Sequence, residues 1–320
     1  MWVIGDTGCC GVEPAVGLRL VKIPVVFAFD ENYALPASVA IRSLIDAKAD
    51  GTSYEIIVMH GGLSARTKRR FEALYPIRWL RVDRRRFAGY PCGWSGEATW
   101  YRLLLADLLP EYDKVIWSDV DVLFRCDLMH AFSMEIGDAD WAGVPDRLQA
   151  DGTLSFLPGF MVVNTQRWRK THFLKRCDAL VRRDAASLTM FDLDVLNRVA
   201  AGIMPLGPQW CVFERLLSEG AQAPEFERMV EVHGRKAVDD AIANPKIIHY
   251  AGPPMKVWLR RLAEMPPIFR SEIVKSPFWD SDLGRGGWRV AFKMLGYLLA
   301  YGATGSARFR RQAGVYRRSI

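Results

Sequence analysis

From Ile23 onward the chain alternates short β-branched apolar runs with stretches of helical periodicity, and no other feature restricts its fold more. Alternation of this kind implies an α/β sheet with mostly parallel strands, because each crossover helix returns the chain to the same sheet edge. VVFAF (25–29) predicts a strand, and Ala37, Ala40, Ile41 and Leu44 mark the inner face of the helix after it. EIIVM (55–59) and IRWLRV (77–82) predict the next two strands, separated by a basic helix with Phe71 and Leu74 inward. A helix capped by Ser95 follows, with Glu97 in its first turn and Tyr101, Leu104, Leu105 and Leu108 on its apolar face, ending before Pro110. VIWS (115–118), WAGV (141–144), FMVVN (160–164) and KIIHY (246–250) supply further strands, with helices near 165–183 and 191–201.

In an open parallel sheet, ligands collect at the carboxyl ends of the strands. Two strands here run into acid at that edge: VVFAF into Asp30 and Glu31, and VIWS into Asp119 and Asp121, one residue apart. Adjacent carboxylates repel each other, so keeping both ionised calls for a partner of opposite charge. A divalent metal meets that need and can accept diphosphate oxygens as well. The tripeptide alone also fits a solvated turn; the apolar runs on both sides of it favour a site.

VVFAFDENYALPASVAIRSL, ATWYRLLLADLLPEYDKVIWSDVDVLF and HYAGPPMKVW resemble, in order and spacing, three signature regions of glycosyltransferase family 8, especially the bacterial lipopolysaccharide galactosyl- and glucosyltransferases. The resemblance spans roughly residues 23 to 258. It implies a GT-A type fold, a UDP-sugar donor, manganese with magnesium as the alternative, and transfer with retention of anomeric configuration. By position, Asp119, Asp121 and His249 match the metal ligands; imidazole beside two carboxylates suits manganese, because nitrogen is the softer donor. Lys256 matches a lysine on the diphosphate, in a loop one residue longer than the family pattern. Asp30 and Asn32 match residues holding uridine and ribose, Arg102 an arginine bridging donor and acidic motif, and Asp146 an acceptor-site acid.

Two departures bear on mechanism. Leu157-Pro158-Gly159 stands where the family shows Asn-x-Gly, and Asp192-Leu193-Asp194 where it shows Asp-Gln-Asp. Leucine offers no polar contact to an oxocarbenium-like centre. Asp192 still matches a donor-sugar ligand, and Asp194 is the acid nearest the missing amide. The acceptor hydroxyl can attack on the leaving group's face, with a phosphate oxygen taking its proton, or a double displacement can proceed through Asp192 or Asp194.

Composition bears on partners and location. The chain has 320 residues and a formal charge of +7, pointing to an acidic partner. Six scattered cysteines without metal-ligand spacing suit a reducing cytosol. Residues 1–22 form a leader without the pattern of a secretory signal, 23–265 the transferase domain, and 266–320 a helical tail rich in arginine and aromatics. Trp288, Phe292, Tyr297, Tyr301, Phe309 and Tyr316, with the apolar Met294, Leu295, Leu298 and Leu299, suit an anionic membrane surface better than nucleic acid. A helix packed on the catalytic domain is the competing account of the tail. The expectation is a cytoplasmic enzyme on the inner face of the membrane, taking a glycan or glycolipid acceptor. The alternatives are a glycogenin-like or other protein-acceptor transferase, and a non-catalytic UDP-sugar-binding assembly partner.

Overall fold

The computed structural model describes residues 22–91, 96–251, 256–259 and 265–279. The strands are β1 (Lys22–Ala28), β2 (Ser53–His60), β3 (Ile77–Arg81), β4 (Val115–Ser118), β5 (Val122–Phe124), β6 (Trp141–Leu148), β7 (Leu154–Val163), β8 (Ile203–Pro205), β9 (Val212–Phe213) and β10 (Ile247–His249). The helices are α1 (Ala34–Asp46), α2 (Ala65–Glu72), α3 (Leu105–Leu108), α4 (Met129–Ser133), α5 (Thr165–Lys170), α6 (Phe173–Asp184), α7 (Asp192–Val199), α8 (Glu214–Glu219), α9 (Phe226–His233), α10 (Arg235–Ala243) and α11 (Pro267–Ile273).

Seven strands form one sheet in the order β3-β2-β1-β4-β7-β6-β8. The pairs β1/β2, β2/β3, β1/β4 and β6/β8 are parallel, while β7 runs antiparallel to both neighbours. Parallel pairing follows from the α1 and α2 crossovers, antiparallel pairing from the short turn joining β6 to β7. Strand β1 is buried on both faces, which is why its sequence reads as one apolar run. Ile23, Val25 and Phe27 face one way and pack with Ala37, Ala40, Ile41 and Leu44 of α1, the face its periodicity predicts. Val26 faces the other way, with Ile57, Trp100, Leu103, Trp117 and the α6 residues Phe173 and Cys177. Since β1 pairs with β2 on one side and β4 on the other, the chain reverses its direction of winding there and opens a crevice at the carboxyl edge.

The helix read over residues 97–108 is corrected in form. A 3-10 helix covers Glu97–Leu104 and only Leu105–Leu108 is α-helical. Every residue from Trp100 to Ala106 is buried, Tyr101, Leu104 and Leu105 among them, but Leu108 in the last turn is exposed. Ser95, read as its cap, lies outside the described residues, and Gly96 occupies the cap position.

A second sheet, unforeseen in the sequence, has the order β5-β10-β9. β10 is antiparallel to β5 with His249 opposite Val122. Leu123 and Ile248 of this sheet pack with Leu35 and Val39 of α1, Trp258, and Phe269 and Ile273 of α11. Helix α11 thus packs on the small sheet and α1, although it begins the segment read as tail; residues 280–320, which hold the aromatics expected to meet a membrane, are outside the described residues. Among the described residues no helix is long and apolar enough to cross a membrane.

Candidate active site

At the end of β4 the chain passes through Asp119, Val120 and Asp121 into β5, leaving the large sheet for the small one. Val120 is buried in the core, so the acids flanking it turn to the opposite side. The backbone N–H of Asp119 donates to the Gly159 carbonyl (2.8 Å), and the Asp121 carbonyl accepts from the Tyr250 N–H (2.8 Å). His249 arrives on β10. Its Nε2 lies 3.2 Å from Asp121 Oδ1 and 3.9 Å from Asp119 Oδ2. One ligand-type atom from each of Asp119, Asp121 and His249 lies within 4.8 Å of the others.

Three neighbours hold the imidazole in place. The Phe213 ring stacks against it at 6.0 Å between centroids, and its Nδ1 lies 3.3 Å from the Cys211 thiol, leaving Nε2 for the acids. On the third side is Gly159. A Cβ there would sit 2.7 Å from His249 Cε1 and 3.4 Å from Asp119 Oδ2.

Two cations complete the network. Lys256 Nζ donates to Asp121 Oδ2 at 2.5 Å. Arg102, itself buried, donates from Nη2 to Asp119 Oδ1 (2.8 Å) and from Nη1 to the Pro158 carbonyl (2.7 Å), while its Nε lies 3.1 Å from Asp192 Oδ2. Its guanidinium also covers the Trp117 ring at 4.7 Å. Thr99 donates to the other oxygen of Asp192 at 2.6 Å.

These contacts decide the protonation states. Burial acts to raise the Asp121 pKa, but Lys256 and His249 outweigh it and hold the carboxyl well below the usual carboxylate range. Burial likewise opposes protonation of His249 and of Lys256, and in both the neighbouring groups outweigh it and raise the pKa, Cys211 and Asp121 in the first and Asp121 in the second. Asp192 goes the other way: burial, with Asp119 adding, raises its pKa against Arg102 and Thr99.

Of the residues singled out in the sequence, Asp119, Asp121, His249, Lys256, Arg102 and Asp192 therefore meet in one contiguous network. Asp30 and Asn32 are exposed at the end of β1, where Asp30 accepts from the Asn32 N–H (2.8 Å) and side-chain amide (3.0 Å). The next residue, Tyr33, sets its ring against Trp258 at 5.4 Å, so this turn borders the Lys256 segment. Asp194 accepts from the Met190 N–H (2.8 Å) at the start of α7, and Asp146 pairs with Arg228 (3.0 Å); among the described residues neither contacts the acidic cluster. The sequence reading had no role for Gly159, Cys211 or Thr99. Only Gly159 carried a signal, a glycine within a strand, which marks close approach of another group.

Two carboxylates and an imidazole form a donor set that fits a divalent cation, and the adjacent half-buried ammonium fits an anion bound to that cation. A model of glycosyl transferase family 8 matches residues 24–261. Among solved structures, an active-site mutant of LgtC aligns with a TM-score of 0.69 at 25% identity, covering 82% of this chain and 99% of that one. The bifunctional glycosyltransferase WbbM aligns at 0.64 and 21% identity over 83% of this chain and 51% of that one. The glycosyltransferase GlyE of Streptococcus pneumoniae TIGR4 aligns at 0.58 and 18% over 82% and 62%, and these two likenesses concern the fold alone. No curated protein matches the sequence closely enough to count as a relative.

Proposed function

The chain belongs to glycosyl transferase family 8, and from that membership we propose that it moves a hexose, galactose or glucose, from a UDP-sugar to a glycolipid or polysaccharide acceptor such as a lipopolysaccharide core, with retention. The observation that carries the reading is the convergence of Asp119, Asp121 and His249 within 4.8 Å, with Lys256 on the same carboxylate. A solved complex of the galactosyltransferase LgtC with donor and acceptor sugar analogues supports a donor and an acceptor sugar as substrates here.

Asp119, Asp121 and His249 would hold the metal, manganese in preference to magnesium because imidazole is among the ligands. When bound, the cation supplies Lewis-acid charge to the departing diphosphate. Lys256, half-buried beside Asp121, stays protonated and would offset further negative charge on UDP. Arg102 ties Asp119 to Asp192, so the acidic turn and the start of α7 keep a fixed relation as the donor reacts. Asp30 and Asn32, at the rim beside Tyr33, are suited to uracil and ribose hydroxyls.

Attack on the leaving group's face, with a donor phosphate oxygen receiving the proton, is the better supported course. A double displacement needs an unencumbered carboxylate. Asp192 already accepts from Thr99 and faces Arg102, and Asp194 caps a backbone N–H. Leu193 and Leu157 supply no amide to the sugar site, which keeps the non-catalytic donor-binding reading alive as the rival; a protein acceptor is the other alternative. The membrane-facing role of the tail and a cytoplasmic location at the inner membrane face belong to the same proposal.

Calorimetric titration of UDP with and without manganese tests the site. Asp121→Asn should abolish the metal-dependent binding, and retained binding discards the assignment. UDP release with a panel of sugars and lipid acceptors tests catalysis; binding without release under every acceptor establishes the rival.

A further inference from the structure

A second charged site lies on the carboxyl edge of the large sheet, and the proposed reaction does not use it. Next to β1, on the flank away from β4, the ends of β2 and β3 border a cavity of about 450 Å³. Its walls among the described residues are Gly61, Arg81, Val82, Asp83, Arg84 and Arg85. With strands about 4.8 Å apart, this site lies about 10 to 14 Å across the sheet from the acidic cluster at β4.

The three guanidiniums are set in different ways. Arg84 gives only its Nε to Glu97 (3.0 Å) and Arg85 binds Asp83 through Nε and Nη2 (3.1 and 2.8 Å), so each is oriented by an acid while its other N–H groups stay uncommitted among the described residues. Arg81, exposed at the end of β3, has no ion-pair partner among the described residues. Glu97 also accepts from the Tyr101 hydroxyl (2.6 Å). The stem of Arg84 lies over Gly61, where a Cβ would come within 2.9 Å of Arg84 Cγ and Cδ and 2.5 Å of the Tyr101 hydroxyl oxygen. A side chain at 61 would therefore push Arg84 out of the cavity wall.

Three guanidiniums meet two carboxylates here, Asp83 in the cavity wall and Glu97 on Arg84, and the positive charge left over is one that an anion relieves. Pre-oriented planar forks with spare donors match tetrahedral oxyanions better than a point charge does. A phosphate alone leaves much of the volume unfilled, so the ligand has room for the group that carries the phosphate. We propose that the Arg81–Arg84–Arg85 cavity binds a phosphate ester separate from the donor's diphosphate, carried by a sugar phosphate or by a phospholipid headgroup.

The test uses the full chain saturated with manganese and UDP, so that the diphosphate site is filled. Glucose 6-phosphate is titrated by calorimetry, and flotation with phosphatidylglycerol and phosphatidylcholine vesicles is run in parallel, on wild type, Arg81→Ala and Arg81→Lys. The expected result is saturable binding of one probe, weakened at least tenfold in Arg81→Ala and partly kept in Arg81→Lys, with metal-dependent UDP binding unchanged in all three. Response to the soluble ester alone identifies a glycan phosphate as the source, and a fall in phosphatidylglycerol flotation between wild type and Arg81→Ala identifies the lipid. Absence of binding to both probes, equal binding in Arg81→Ala, or loss of UDP binding along with the probe overturns the proposal.

Discussion

A single methyl group at residue 159 is enough to test how the proposed metal ligands are held. The Cβ of Gly159→Ala would meet His249 Cε1 at 2.7 Å, inside any real contact distance, and the imidazole is backed by Phe213 and Cys211 and cannot retreat. The ring must tilt away from the acids. Manganese affinity should fall about 10- to 100-fold, as when a ligand's supporting shell is disturbed, with a loss of stability of about 1 to 3 kcal/mol from overpacking. Titrating free manganese by its electron paramagnetic resonance signal and measuring unfolding in urea separates the two, and unchanged affinity would show that the imidazole is not a ligand. At this scale the acids were legible, because a charged pair between two apolar runs contradicts its surroundings. Cys211 and Thr99 were not, since a buried thiol or hydroxyl looks like its neighbours until the partner from another element is known.

Among the elements, α11 has the most measurable role. Its Phe269 is fully buried against Tyr250 (4.7 Å between ring centroids), directly after His249. Ser276, just beyond α11, hydrogen-bonds Ser38 of α1. Phe269→Ala should cost about 3 to 5 kcal/mol in urea unfolding and should lower manganese affinity with it, because β10 loses its backing. A helix belonging to an independent tail would show neither effect. The large sheet was readable because each parallel strand is a continuous apolar run between helices. The small sheet was not: β5 has three residues and β9 two, and β10 joins β5 from more than a hundred residues further along the chain, which no local pattern encodes.

For the molecule as a whole, buried His60 links stability to pH. It accepts a hydrogen bond from the Leu63 N–H (3.1 Å) and stands edge-on to Trp79. Burial, helped by Lys68 and Arg81, lowers its pKa from 6.5 to about 4. The folded state therefore resists a proton that the unfolded chain accepts, so this contribution is complete above pH 6.5 and is lost as pH falls toward 4. Between pH 7 and 5 the loss is about 2 kcal/mol. Urea midpoints at the two pH values should differ by correspondingly less in His60→Gln than in wild type, and an equal difference would show that His60 does not carry this term. Positive net charge was legible at this scale as a prediction of acidic partners, and the run RVDRRRF (81–87) shows where it concentrates; that Gly61 at the end of β2 closes the wall beside Arg84 appeared only when the strands were laid side by side.

Asp119 and the imidazole ride on separate plates: Asp119 follows a strand of the large sheet, His249 closes one of the small, and Asp121 leads into the small sheet's β5. Such a site works as a rivet, and whatever it grips fastens two sheets that already share one core. A slip of β10 by a single residue would turn the imidazole to the far face, silencing the centre with every acid still in place. Damage to this protein's chemistry can therefore begin anywhere along that join, at residues that never touch a sugar.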